Sequence, residues 1–259
     1  MASTFRSITI RLIRAASLVA LAALVPVSSA WAQSGEALVF ATDPTYAPFE
    51  FTKEGELIGF DIDLVKAIAK EKGFEAKFEN VPFDGIIPAL QAGNYDAAVA
   101  AMVATEERKK SIDFSVPYFK TGLVILVRAE DSTIKGEADL KGKRIAVEIG
   151  SVGAEKAGSI PNAVVSTFNG SPLTLLELTN GNVDAVIGDG ASAHYALQTG
   201  AVKGLKVLPG LLSTDVYAIG FPKGSDKAGL INDGLKAVIE NGEYARIYQK
   251  WFGEAPPPF

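Results

Sequence analysis

Leu90-Gln91-Ala92-Gly93-Asn94-Tyr95-Asp96-Ala97-Ala98-Val99 and Leu178-Thr179-Asn180-Gly181-Asn182-Val183-Asp184-Ala185-Val186-Ile187 are two copies of one pattern. Each reads as a helix end, a Gly-Asn turn, an Asp-Ala step and an apolar strand. A glycine just past a helix is common turn chemistry, so one such echo alone could be coincidence. A second parallel runs in the same order. Strands predicted at 38–41 and 144–147 each lead into a polar or glycine-containing loop, Thr42-Asp43 in the first and Gly150-Ser151 in the second. Two correlated echoes predict two similar lobes.

The segments around these copies alternate between strand and helix. The apolar run 38–41 ends abruptly at Thr42-Asp43-Pro44, as a buried strand does. Over 60–72, Leu64, Val65, Ile68 and Ala69 recur at helical spacing; Asp61 or Asp63 can cap the start and Gly73 the end. A second helix is predicted over 85–92, a strand over 97–102, and a helix capped by Thr105 that opens with Glu106-Glu107. Helical spacing returns at 192–198, 230–240 and 244–252. This βαβ order predicts an α/β fold with mostly parallel sheets.

Pro117–122 and 214–220 are apolar, extended runs between the halves. If 230–240 and 244–252 return to the first lobe, the chain crosses between lobes twice, and paired crossovers make a hinge. The expected organisation is lobe 1 from 33–117 and 221–253, lobe 2 from 123–213, and a hinge at 118–122 and 214–220. The tail 254–259 lacks helical pattern and is expected to be loose.

Composition narrows the chemistry. With 259 residues, 48% hydrophobic and 21% charged, the chain can bury a large core and is not a disordered protein. It has no cysteine and one histidine, which excludes disulfides, thiolate nucleophiles and multi-histidine metal cages. Residues 1–32 read as a cleaved export signal: Arg6, Arg11 and Arg14 precede an apolar run at 15–27, and Ala30-Trp31-Ala32 fits a small-x-small cleavage site. Cleavage after Ala32 leaves 22 of the 25 cationic residues against 30 acidic ones, a net charge of −8. Nucleic acid is therefore not expected as a partner.

In open α/β sheets, ligands sit beyond the carboxyl ends of the strands, which selects a short group of residues. After 38–41 come Asp43 and Tyr46; the strand at 97–102 contributes Ala101 and is followed by Val103, Thr105 and Arg108. After 144–147 come Glu148, Gly150, Ser151 and Val152, and after 185–188 comes Asp189. Arg108 stands on the first turn of a helix and can grip a carboxylate through two parallel hydrogen bonds. The plainer reading makes it a surface arginine paired with Glu106 or Glu107. Asp189 can meet an ammonium group or cap the following helix, and both roles can coexist. Tyr46 and Phe83, aromatics in predicted loops, can flank an aliphatic stem. His194 has no partner for a catalytic triad. No G-x-S-x-G, H-E-x-x-H or Walker loop is present.

Five blocks carry a resemblance: Ala41-Thr42-Asp43-Pro44-Thr45-Tyr46-Ala47-Pro48-Phe49-Glu50-Phe51, Gly59-Phe60-Asp61-Ile62-Asp63-Leu64, Phe83-Asp84-Gly85-Ile86-Ile87-Pro88-Ala89-Leu90, Thr105-Glu106-Glu107-Arg108-Lys109-Lys110 and Tyr248-Gln249-Lys250-Trp251-Phe252-Gly253. In this order they resemble the polar amino-acid-binding proteins of bacterial ABC importers, extracellular solute-binding protein family 3, and most of all its glutamine- and basic-amino-acid-binding members. The resemblance implies a two-lobe periplasmic binding protein, or Venus-flytrap, fold with a two-strand hinge. It implies a periplasmic monomer that captures a free L-amino acid and delivers it to a membrane permease, without cofactor, metal or catalysis. In the family, the arginine matching Arg108 grips the α-carboxylate and the aspartate matching Asp189 takes the α-ammonium. Aromatics matching Tyr46 and Phe83 enclose the side chain, and the residue matching Asp43 helps read it.

The departures bear on the ligand. Val103 stands where relatives carry serine or threonine, so a backbone N–H or Ser151 has to replace that hydroxyl. Glu148 and Gly188 stand where glutamine-binding members have lysine and histidine. If Asp43 and Glu148 both face inward, they leave two surplus negative charges that favour a cationic side chain such as arginine, lysine or ornithine. If Glu148 points outward, an uncharged polar side chain is favoured. The competing enzyme reading is a periplasmic cyclohexadienyl dehydratase on the same scaffold, with Glu148 or Glu155 as the acid.

Overall fold

The computed structural model describes residues 36–258. The export-signal reading of 1–32 lies outside the described residues. The chain opens with β1 (Ala37–Thr42), β2 (Thr45–Tyr46), β3 (Glu50–Lys53), β4 (Glu56–Ile58) and α1 (Phe60–Lys72). It continues through β5 (Glu75–Asn80), α2 (Phe83–Gln91), β6 (Ala97–Ala98), α3 (Glu106–Ser111) and β7 (Asp113–Phe114). After β8 (Phe119–Thr121) come β9 (Leu123–Arg128), β10 (Arg144–Glu148), α4 (Val152–Gly158), β11 (Val164–Phe168), α5 (Ser171–Thr179), β12 (Ala185–Asp189), α6 (Gly190–Gln198) and β13 (Leu205–Val207). The chain then returns through β14 (Asp215–Tyr217) and β15 (Gly220–Phe221) to α7 (Lys227–Glu240) and α8 (Glu243–Phe252).

The two sequence echoes occupy matching places in two five-stranded sheets. The first has the order β5-β1-β6-β15-β7 and the second β11-β10-β12-β9-β13. In each, the echoed strand (β6 or β12) lies parallel to the strand of the second echo (β1 or β10), which has a further parallel strand (β5 or β11) on its other side. Between the sheets, β8 and β14 pair antiparallel, Phe119 opposite Tyr217 and Thr121 opposite Asp215, so the chain crosses twice through one ribbon. Beyond α8, the tail meets this ribbon where Lys120 Nζ donates to the Pro258 carbonyl at 2.7 Å.

Both sheets are covered on each face, which is why their central strands read as apolar runs rather than alternating ones. In β9, Leu123, Ile125 and Val127 enter one core while Val124 and Leu126 enter another. The first lobe's core gathers Phe40, Leu64, Val65 and Ile68 with Ile231, Leu235 and Val238 of α7. At its hinge side it becomes aromatic. Phe49 packs edge-on against Phe119 and Tyr217, at ring-centroid distances of 4.9 and 5.1 Å.

Several local expectations change in the folded chain. Neither Asp61 nor Asp63 caps α1. Its N-cap is Gly59, without a side-chain cap, because a β-carbon there would lie 1.9 Å from the Phe49 carbonyl oxygen. Asp61 turns inward, and Asp63 instead accepts from Lys250 Nζ and Trp251 Nε1 of α8. Phe83 is not in a loop but opens α2, and Tyr46 belongs to the short β2–β3 hairpin. The strand expected over 97–102 ends as a ladder at Ala98. The chain bends at Ala101, where φ is 43°, and Val103 instead bridges to Tyr217.

Candidate functional site

Three helices next to the cleft are started by side chains that sequence reading had placed just after strands. Thr105 Oγ1 accepts from Arg108 N at 3.1 Å, Ser151 Oγ from Ala154 N at 3.1 Å, and Asp189 Oδ1 from Ala191 N and Ser192 N at 2.9 and 3.1 Å. Capping satisfies backbone donors that a helix start would otherwise leave unpaired, and in doing so it fixes where each loop stands.

Between the lobes lies a cavity. Of the twelve residues singled out from the sequence, nine line it: Asp43, Tyr46, Phe83, Ala101, Val103, Glu148, Ser151, Val152 and Asp189; Thr105, Gly150 and Arg108 do not. Arg108 stands behind this lining. It is 7% exposed, and its guanidinium donates to the Val103 carbonyl at 2.8 Å and to the Gly150 carbonyl at 3.0 Å, with the Phe83 ring 5.3 Å away. The surface-pair reading of Arg108 does not hold. Glu106 pairs with Lys109 at 2.7 Å and Glu107 with Lys110 at 2.5 Å, leaving the arginine to the interior. Burial pulls the Arg108 guanidinium below its ordinary pKa, while Glu155 and Asp215 oppose that shift.

The acidic residues are tightly organised. Asp43 Oδ1 accepts from Thr45 Oγ1 at 2.8 Å and Oδ2 from Phe83 N at 3.0 Å, which ties β1 to the start of α2 and seats the Phe83 ring. Asp189 Oδ2 accepts from the Thr121 hydroxyl, so one carboxylate caps α6 and meets the hinge strand β8. Burial raises the Asp189 pKa, and hydrogen bonds from Thr121 and Tyr217 counter it. Glu148 faces into the cavity lining, where burial, then Asp43 and Asp84 across the cleft, push its carboxyl up to about 8. The Ser151 hydroxyl donates its one proton to the Glu148 carbonyl at 2.7 Å. It cannot at the same time replace the hydroxyl missing at Val103.

The lobes meet directly at several points besides Arg108 and Gly150. Ser192 Oγ donates to the Ala47 carbonyl at 2.7 Å. Gly150, at φ 72°, comes so close to α2 that an added β-carbon would stand 3.2 Å from Asp84 Cβ. Sequence reading missed six polar lining residues: Glu50, Thr121, Ser171, Thr174, Asp215 and Tyr217. Three of them belong to the extended runs assigned to the hinge, whose alternation puts every second side chain toward the cleft. Glu50 sits in the Phe49-Glu50-Phe51 run, where strand alternation would turn an acid between two aromatics toward solvent, so no local signal marks its burial. His194 is exposed on α6 and does not line the cavity. Among the described residues, no group of three or more His, Cys, Asp or Glu could hold a metal ion.

The comparisons with known proteins cover nearly the whole described chain. An arginine-binding protein 1 of an ABC transporter from Escherichia coli K12 is 34% identical over 90% of this chain and 97% of its own length. A probable histidine-binding protein from Neisseria gonorrhoeae is 33% identical over 86% and 85%. Among solved structures, the arginine-, lysine-, histidine-binding protein ArtJ from Geobacillus stearothermophilus matches with a TM-score of 0.82 and 36% identity, covering 85% of this chain and 97% of that one. The family model itself matches residues 38–254, and the chain belongs to the bacterial extracellular solute-binding proteins, family 3.

Proposed function

We propose that the protein is a periplasmic receptor, monomeric and without catalysis, that captures a basic L-amino acid between its lobes and delivers it to an ABC-transporter permease. The observation that carries this reading is the charge of the cavity. Asp43, Glu148, Asp189 and Asp215 line it, and among the described residues no lysine or arginine does. Buried carboxylates need a partner, and a ligand with a cationic side chain supplies one. Arg108 meets the α-carboxylate by exchanging its bonds to the Val103 and Gly150 carbonyls, and Asp189 takes the α-ammonium. Tyr46 and Phe83 enclose the stem, while Asp43 and Glu148 read its charged end. The lobes are 33–117 with 221–253 and 123–213, closing about 118–122 and 214–220. The arginine- and histidine-binding names of the relatives support the same ligand class.

Micromolar affinity corresponds to about −8 kcal/mol, within reach of one carboxylate clamp, one ammonium pair and aromatic enclosure. Isothermal titration of arginine, lysine, ornithine, histidine and glutamine is expected to show the basic amino acids binding at micromolar concentration or tighter and glutamine more weakly. Binding of none of them removes the reading. Prephenate and arogenate, the dehydratase substrates, carry extra carboxylates that this acidic lining repels. Their turnover would replace the receptor reading.

A pH dependence follows from Glu148. In the empty cavity its carboxyl, with a pKa of about 8, holds a proton at neutral pH, whereas a cationic ligand needs the carboxylate. Binding therefore expels protons. Affinity for arginine is expected to rise with pH by up to about tenfold per unit below pH 8 and to level off above it. Glu148→Gln should flatten that rise and narrow the preference for arginine over glutamine. A slope unchanged in the variant would take Glu148 out of ligand recognition.

A further inference from the structure

Glu50 at the start of β3 and Asp61 in the first turn of α1 are 1% and 0% exposed. Asp61 Oδ2 accepts from Ala101 N at 2.9 Å and from Tyr118 Oη at 2.6 Å. Its Oδ1 and both oxygens of Glu50 have no partner if both groups are ionised. Three unpartnered carboxylate oxygens in one buried place carry a large desolvation cost. A single proton removes most of it, because a protonated carboxyl is a donor. Asp61 N donates to the carbonyl of Phe49, the residue before Glu50, at 2.9 Å, which sets the two acids side by side, an arrangement in which two carboxyl groups can share one proton.

We propose that Glu50 and Asp61 bind one proton between them, with Glu50 as the acid donating to Asp61, and that this proton positions the cavity floor against the root of the hinge. The floor is Ala101, a non-glycine residue at φ 43° that lines the cavity and whose N–H is held by Asp61. The hinge root is Tyr118, next to β8. Its hydroxyl is held by Asp61, its N–H donates to the Tyr217 carbonyl at 2.9 Å, and its carbonyl accepts from Tyr244 Oη at 2.7 Å. Glu50 and Asp61 are thus positioning residues.

The groups that face Glu50 are Asp61 from α1, Asp43 after β1, Glu148 from β10, and the tyrosines Tyr46 and Tyr118. None is a cation, so nothing in this set stabilises an ionised Glu50. Burial, then Asp61, holds the Glu50 carboxyl well above its ordinary value, and burial raises Asp61 to about 6. This site goes beyond the ligand reading, since the shared proton is required whichever amino acid the cavity takes.

The test uses the full folded protein carrying Glu148→Gln, which removes the other raised glutamate. With ¹³C-labelled glutamate, one side-chain carboxyl resonance is expected at the protonated position at pH 7, unchanged by saturating L-arginine, and absent in the E50Q/E148Q double variant. If all glutamate resonances sit at the carboxylate position at pH 7, the proposal fails, whether or not E50Q folds. A protonated resonance that E50Q leaves in place also overturns it. One that disappears on arginine binding would make Glu50 a counter-ion of the ligand instead. The stability profile supplies a second readout. Because the folded-state pKa of Glu50 is raised, its proton's stabilisation is complete below the unfolded value and is lost as pH rises toward the folded one. The melting temperature of E148Q should therefore fall with pH more steeply than that of E50Q/E148Q, and parallel curves would count against the shared proton.

Discussion

Arg108→Ala is expected to weaken amino-acid capture by about 2–5 kcal/mol, a loss of about 30-fold or more in affinity, as truncation of one partner of a buried, hydrogen-bonded charge pair generally does. The guanidinium is buried, and it is the cation stationed behind an acidic cavity, between the Val103 and Gly150 carbonyls. Arg108→Lys should fall between wild type and alanine, because an ammonium keeps the charge and cannot form two parallel bonds to one carboxylate. Titration calorimetry with arginine measures both, and a melting curve separates lost contact from lost fold. An alanine variant that binds within threefold of wild type would mean that the α-carboxylate is held elsewhere.

The second large effect concerns stability. Phe60→Ala is expected to cost about 3–5 kcal/mol, a large share of the total for a single domain. Its ring is fully buried and meets Phe49, Tyr118, Phe119, Tyr244, Tyr248 and Phe252 at centroid distances of 5.4–6.3 Å. Those rings come from the loop before β3, the hinge segment and α8, so one side chain joins three parts of the chain that are distant in sequence. The cavity left by truncation cannot collapse, because aromatic walls on several elements would have to move together. Urea denaturation should show a lower midpoint at an unchanged slope. A loss below about 1 kcal/mol would show that the cluster repacks around the gap.

Where local rules dominate, sequence reading went far. The bounds of α1 follow from apolar spacing and from Gly73, whose φ of 74° closes the helix. Thr105 caps α3 as its position before Glu106-Glu107 suggests. The paired Gly-Asn echoes fall in corresponding strands of two sheets of matching order, since each repeat must bury its own strand between two neighbours. Reading failed where a residue's partner lies far along the chain. Asp61 has the composition and place of a helix cap, yet it serves Ala101 and Tyr118, 40 and 57 residues away. The strand after Asp96 stops early for a similar reason, because beyond Ala98 the backbone is drawn to Tyr217 of the returning hinge strand.

From the linear chain alone came the repeat and the strand-end residues, because each depends on spacing within a few turns of backbone; the double crossover hung on the long-range return of α7 and α8 to the first core. The direction of Glu148, the interior placement of Arg108 and the encounter of Glu50 with Asp61 were settled only by folding. Each depends on which charges are brought together when two lobes close and water leaves, and Coulomb interactions in a buried cleft depend on distances through space that sequence separation does not encode.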